Sequence, residues 1–372
     1  MLSKNSQKFF QEIVQKIHKV AEEISREVSL MEVCGTHTQA VARYGIKELM
    51  PKNVKLTTGP GCPVCVTAQE DIDAIISLAM AGIPVATYGD MLRVPGYGGS
   101  LDDARSKGAK VFSVYSVMET VKLLKDYPNL VFFGLGFETT TPMTAYAIKS
   151  EFERRNNQRS LVVGKDCLGK ENFSVYSTHK LFLPAMQALL DMGEAKIDGF
   201  LSPGHVSTII GVEPYKYMEV PQVITGFTAE DVLLGIYILL NQIKDGRAEV
   251  ENEYVRSVKE KGNEEAMKLI FEVFEPEDGN WRGFGIIPNS GLKIKEKYKE
   301  FDAKVKYKNI LDKIKHTAIR KPCVCKCGEI IRGLKTPEQC PVFKKVCTPD
   351  KPIGPCMVSS EGACNVAFRY NK

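Results

Sequence analysis

Residues 53–67 read NVKLTTGPGCPVCVT. An apolar run ends in a loop of glycines and prolines that carries Cys62 and Cys65, and TAQEDI (67–72) then opens an amphipathic helix. A strand closed by a Gly/Pro turn and followed at once by a helix is half of a βαβ unit. The same pattern recurs at VSLMEV (28–33), IPVATYG (83–89), AKVFSVY (109–115), LVFFGLG (130–136), SLVVG (160–164), IDGFLSPG (197–204) and PQVITGF (221–227). Strands that are apolar throughout and alternate with helices predict mainly parallel, buried sheets and an α/β fold.

In an open parallel sheet the loops leaving the carboxyl ends of the strands share one edge, and ligands bind there. Those loops are CGTHTQ (34–39), PGCPVCVT (60–67), GDMLRVPGYGGS (89–100), GFETTTPMT (136–144) and PGHVST (203–208). They hold Cys34, His37, Cys62, Cys65, Asp90, Glu138 and His205, which include three of the four cysteines and two of the four histidines in the first 300 positions. Such loops, facing one another from two domains, line a cleft. Thr67 is expected as the N-cap of the next helix with Glu70 completing a capping box, and a thiol beside a helix N-terminus has its thiolate favoured. Cys62 and Cys65 therefore read as a reactive pair, and Cys34 with His37 as a couple that can ligate a metal or activate a nucleophile. His205 and Glu138 also have ordinary readings, a hydrogen-bonded histidine and a helix cap. His179 reads as a hydrogen-bonded histidine and Cys167 as incidental.

The chain has 372 residues, 44% hydrophobic and 26% charged, with a formal charge of +5 and no block of like charges. This composition fits two or three globular domains and indicates neither a nucleic-acid nor a membrane surface. VLLGIYILL (232–240) is the longest apolar run, well short of the ~18 residues that span a bilayer. The N-terminus lacks the continuous apolar stretch of a signal peptide; Phe9, Phe10, Ile13, Val14, Ile17, Val20, Ala21 and Ile24 instead mark one helix face, and a cytoplasmic location is expected. The break at DYPN (126–129) suggests an N-terminal helix and first α/β domain over 1–125, a second over 126–300, and a cysteine-rich domain over 301–372. An internal echo between residues 55–92 and 199–233, each reading strand, Pro/Gly loop, helix and proline-led strand, is compatible with two similar halves.

Eleven cysteines in a cytoplasmic chain point to metal ligation or redox chemistry rather than structural disulfides. Seven of them crowd the end: Cys323, Cys325, Cys327, Cys340, Cys347, Cys356 and Cys364. From Cys325 the spacing is C-x-C-x12-C-x6-C-x8-C-x7-C, without the paired CxxC or CxxH steps of zinc modules. Irregular Gly/Pro loops with six thiols favour a 4Fe-4S cluster over zinc and leave one pair over. A cluster beside a spare pair can pass single electrons to a dithiol, though the spacing does not choose the ligands.

Together, CGTHTQ, GPGCPVC, TYGDMLRVPG, GFETTTP, NFSV..THK, SPGHVSTIIG and CTPDKPIGPCMVSSEGAC resemble the HypD family of hydrogenase maturation proteins, from about residue 30 to the C-terminus. The resemblance implies two α/β domains around a cleft and a small domain whose 4Fe-4S site is similar to that of ferredoxin-thioredoxin reductase. It implies a scaffold on which the iron of nickel-iron hydrogenase receives two cyanides and one carbon monoxide, in complex with HypC and supplied with cyanide by HypE. Carried over by motif, Cys34 resembles the iron ligand, completed by the N-terminal cysteine of HypC, and Cys62 and Cys65 the thiol-disulfide pair. By analogy with the reductase, Cys325, Cys340, Cys347 and Cys364 are expected to hold the cluster and Cys327 and Cys356 to form the redox pair, with Cys323 able to replace Cys325. Soft thiolates suit such an iron, and His37, Asp90, Glu138 and His205 are expected to hydrogen-bond its ligands or move protons. A freestanding disulfide reductase using Cys62 and Cys65 is the alternative. A nucleotide hydrolase is disfavoured, because neither G-x-x-x-x-G-K-[ST] nor G-x-G-x-x-G follows a strand.

Overall fold

The computed structural model describes residues 4–157, 173–315 and 324–370. Its strands are β1 (Val28–Glu32), β2 (Val54–Thr58), β3 (Val85–Thr87), β4 (Val111–Ser113), β5 (Val131–Gly134), β6 (Ser174–Ser177), β7 (Gly199–Pro203), β8 (Gln222–Thr225), β9 (Val250–Asn252), β10 (Phe274–Trp281) and β11 (Gly285–Ile294). Two parallel sheets result, one in the order β2-β1-β7-β8-β9 and the other β4-β3-β5-β6; β10 and β11 pair as an antiparallel hairpin. The α/β class and the parallel sheets read from the sequence are present. SLVVG and Cys167 lie outside the described residues, as does Cys323.

The chain does not follow the divisions at 125/126 and 300/301. It builds β1 and β2, crosses to form the whole second sheet with β3 to β6, and returns to complete the first sheet with β7 to β9. DYPN is a helix-to-strand loop inside the second sheet, between β4 and β5. Phe301 belongs to the core of the second sheet, and Tyr307 to the buried cluster at the domain junction. Local turn composition marks where a strand begins but not which sheet it joins. The internal echo is likewise not a repeat: β2 and β3 lie in different sheets, whereas β7 and β8 are neighbours.

Three buried clusters hold this arrangement. The opening helix (Lys4–Glu22) packs Ile13, Ile17 and Val20 with Leu233, Ile236 and Leu240 of Ala229–Asp245, as its apolar face predicts. A second cluster joins Phe132, Phe173 and Val175 to Phe274, Leu292 and Tyr298, seating the hairpin on the second sheet. The largest includes Met31 and Phe200 of the first sheet, Phe133 and Phe137 of the second, and Met357 and Val358 of the tail. Full burial of each such side chain is worth about 1.5–3 kcal/mol, so the two sheets and the tail are packed as one body. Among the described residues no helix is long and apolar enough to cross a membrane.

Each parallel sheet has one place where successive connections run to opposite sides. In the first sheet it lies between β1 and β7, and in the second between β3 and β5. The loops leaving those four strands carry Cys34 and His37, His205, Asp90, and Glu138, respectively. Ligand crevices of α/β sheets open at such points because the flanking helices diverge there.

Candidate functional site

Cys34 is the N-cap of the helix Gly35–Arg43, held in extended conformation at φ −141° and ψ 127°. Its N–H donates to Glu32 Oε2 at 3.2 Å, and Gly61 O accepts from Gly35 N at 3.3 Å. Gly61 lies so close that a Cβ there would stand 2.4 Å from Cys34 Cα, so only glycine lets the cysteine loop settle on Cys34. The expected lowering of the thiol pKa does not survive burial. Desolvation, with the nearby Glu361 and Glu32 carboxyls, outweighs the Thr36 and His37 N–H groups and pushes the thiol up to about 12. A bound soft metal reverses that balance by replacing the proton.

Cys62 caps a short helix, Pro63–Val66, and its Sγ accepts from Cys65 N at 3.3 Å. The two sulfurs are 2.7 Å apart, both reduced and buried. This extra turn displaces the predicted cap: Ala68 precedes the helix Gln69–Met80, and Thr67 Oγ1 instead donates to Pro63 O at 2.8 Å. Burial also drives the Cys65 thiol well above its ordinary range. Cys62 and Cys65 therefore lie as a buried pair of free cysteines, with the Cys65 thiol kept protonated by its burial.

The remaining predicted residues divide. Glu138 is buried, accepts from Phe182 N at 3.0 Å through Oε1, leaves Oε2 without a partner, and is raised by desolvation to about 7. Tyr215, hydrogen-bonded to Ser207 Oγ at 2.8 Å, lies within electrostatic reach of both Glu138 and Cys34, so the two sheets meet around it. His37 is buried with Nε2 beside Thr225 Oγ1 and Gly226 O, both at 2.9 Å; its Nδ1 has no partner, and desolvation lowers it to about 4. His205 is exposed and stacks on Phe227 at 4.0 Å, with His37 4.9 Å from the same ring. His179 is satisfied by Thr144 and Ser177, the ordinary reading. Asp90 is exposed on a cavity of about 680 Å³ lined also by Gln39, Pro63, Val64, Thr139 and Glu361, which brings four of the predicted loops and the tail to one cleft.

The tail brings its sulfurs to the Cys62–Cys65 loop. Cys65 is in side-chain contact with Cys356, Cys356 with Cys327, and Cys327 with Cys364. Cys325 Sγ lies 3.0 Å from Cys327 Sγ, and Ile353 N donates to Cys347 Sγ at 3.3 Å. Cys340 is buried nearby, in electrostatic reach of Lys326. A continuous run of thiols thus leads from the cleft into the tail. Among the described residues no three His, Cys, Asp or Glu side chains form a ready single-metal site.

A family model for HypD, described as the hydrogenase formation hypA family, matches residues 8–371. The chain belongs to the HypD family. It is 44% identical to the hydrogenase maturation factor HypD of Azotobacter vinelandii over 361 residues, 93% of this chain and 90% of that protein. It is 41% identical to the HypD of Rhizobium leguminosarum bv. viciae over 363 residues, 94% and 89% of the two chains. A putative hydrogenase expression/formation protein of Methanocaldococcus jannaschii is 41% identical over 379 residues, spanning 100% of both. The protein is a hydrogenase maturation factor of the HypD type.

The donor chemistry of this HypD-family tail fits an iron-sulfur cluster. Its described thiols are buried or half-buried, Cys325 and Cys347 each accept a backbone N–H, and a Cβ on Gly354 would fall 2.5 Å and 2.6 Å from the Cys325 and Cys327 sulfurs, leaving a cradle beside them. Sequence reading missed Glu32, Tyr215 and Glu361. Glu32 had a signal, a lone acid in a strand expected to be buried on both faces; it accepts from Thr38 Oγ1 at 2.6 Å and burial raises it to about 8. Tyr215 had none, since its hydroxyl bonds the nearby Ser207 while Glu138 and Cys34, which give it a place in the site, come from distant loops.

Proposed function

We propose that this chain is the platform on which an iron carrying cyanide and carbon monoxide is assembled, with Cys34 as its thiolate ligand. HypC is the partner that completes the iron's coordination and HypE the cyanide donor, as the resemblance implies. The observation that carries this reading is the position of Cys34: buried at the first sheet's switch point, against Gly61 of the Cys62–Cys65 loop, and capping the helix whose Gln39 lines a cleft together with Pro63, Asp90 and Glu361. Iron is cargo here, bound and passed on.

The residues divide the work. Cys34 loses its proton on meeting the metal, and the Thr36 and His37 N–H groups stabilise the sulfur's negative charge. Glu138, with one oxygen unpartnered and its pKa near neutrality, can hold or release a proton between the sheets, and Tyr215 and Ser207 supply hydroxyl donors there. A 4Fe-4S cluster on Cys325, Cys340, Cys347 and Cys364 would supply electrons singly. Cys327 and Cys356 bridge that region to Cys65. A Cys62–Cys65 disulfide takes up two electrons and two protons to return to the dithiol, the electrons entering from a one-electron donor protein.

The test is infrared spectroscopy of the chain purified with HypC. Cys34→Ala is expected to remove the cyanide and carbonyl stretches while leaving the visible absorption of the tail intact. Retention of those bands overturns the assignment. The run of thiols also suits a disulfide reductase; turnover of a disulfide by the isolated chain, with no iron beyond the cluster's own, would favour that second reading.

A further inference from the structure

Cys34 and the tail's sulfurs are joined by one short segment, Ser359–Gly362. Ser360 O accepts from Gln39 Nε2 at 2.7 Å, and Glu361 Oε1 accepts from Thr36 Oγ1 at 3.0 Å. Both donors belong to the helix that Cys34 caps. A Cβ on Gly35 would stand 2.5 Å from Glu361 Cβ, so the glycine after Cys34 is the seat on which the tail rests. The segment cannot move alone. Cys356 precedes Glu361 by five residues and touches Cys65, while Cys364 follows it by three and touches Cys327. The helix Ala363–Tyr370 packs along Gly35–Arg43.

We propose that Glu361 is a positioning residue for Cys34. Held between two tail cysteines, it grips the first turn of the Cys34 helix, so that the seating of the tail's sulfurs sets how Cys34 is presented to the cleft. The inference rests on the reading of Cys34 as the iron ligand and of the tail as a cluster site. It follows from chain geometry: a displaced Cys364 draws Glu361 off Gly35 and Thr36, and the cap loosens.

The experiment is the rate at which iodoacetamide alkylates Cys34, read by peptide mass spectrometry on the full chain. Glu361→Ala removes the acceptor, Thr36→Val removes the donor with little change of shape, and Glu361→Gln keeps an acceptor oxygen. Glu361→Ala and Thr36→Val are expected to speed alkylation about tenfold, equivalent to about 1.4 kcal/mol, and Glu361→Gln less than about twofold. Stripping metal with a chelator is expected to speed the unaltered chain by a similar factor and to add little in Glu361→Ala, because both act through one contact. Unchanged rates in Glu361→Ala and Thr36→Val, equal acceleration by Gln and Ala, or full additivity with the chelator would overturn the proposal. If Glu361→Ala loses the tail's visible absorption through misfolding, Thr36→Val and Glu361→Gln decide the matter. A chain lacking iron and visible absorption altogether would instead refute the cluster reading, and the comparison of variants would still decide the role of Glu361.

Discussion

Cys34 and the thiols of the Cys62-to-Cys364 run are the same chemical group in two environments. Cys34 is set among carboxyls and backbone N–H donors, at the end of a central strand. The run is sulfur against sulfur, from the 2.7 Å Cys62–Cys65 contact to the 3.0 Å Cys325–Cys327 contact. Burial raises the thiol of Cys34 and of Cys65 alike, so desolvation does not distinguish them. Neighbours do. A thiol next to hydrogen-bond donors and without a bridging sulfur suits a metal ligand, whereas a chain of thiols suits electron transfer and cluster ligation.

That contrast can be broken by changing one cysteine at a time. Cys364→Ser is expected to abolish most of the visible absorption assigned to the tail, measured on anaerobically purified protein, yet leave Cys34 able to take up an iodoacetamide label. Loss of labelling without loss of absorption would reverse the roles. Interrupting the run with Cys356→Ser should slow reduction of a Cys62–Cys65 disulfide by a reduced electron-donor protein by about tenfold or more, followed by thiol trapping, because thiol exchange needs direct contact between sulfurs. An unchanged rate would show that the run is packing only.

Acid sensitivity must be separated from sulfur chemistry, and His179 provides the control. Burial, and then Lys304 and Lys180, lower its pKa from 6.5 to about 3. The unfolded chain therefore binds the extra proton first. Stability from this residue is complete above about pH 6.5 and falls with pH, by at most about 1.4 kcal/mol per unit, until the folded value is reached. His179→Gln should flatten that slope in urea titrations between pH 6.5 and 4; an identical slope would assign the acid sensitivity elsewhere. The smallest effect expected is at the Cys34 side: Glu32→Ala leaves the buried Cys34 N–H without its acceptor and Thr38 Oγ1 with only the longer bond to Cys34 O, and should cost about 1–3 kcal/mol in denaturant unfolding. No measurable loss would mean that water replaces the carboxyl.

Much of the site was legible because it sits where parallel strands end. Cys34, Asp90, Glu138 and His205 could be named from the loops alone, since the rule of the carboxyl edge needs only strand order along the chain. Their separate fates could not. Glu138 is sealed between the sheets, Asp90 faces the open cleft, and His205 stands outside Phe227. A helix N-terminus that favours a thiolate can be read from sequence, but the depth of burial over it cannot, and at Cys34 and Cys65 burial outweighs it.

By itself the sequence determined the α/β class, the loops that carry chemistry and the cysteine inventory of the tail, because hydrophobic periodicity and turn residues act over a few positions of chain. Only the tertiary structure decided that the first sheet is made from two distant parts of the chain, that Gly61 seats the dithiol loop on Cys34, and that Glu361 reaches Thr36 from 325 residues away. Those contacts come from burying shared apolar surface between segments with no local signal for one another, and the order in which strands join a sheet is set by that packing.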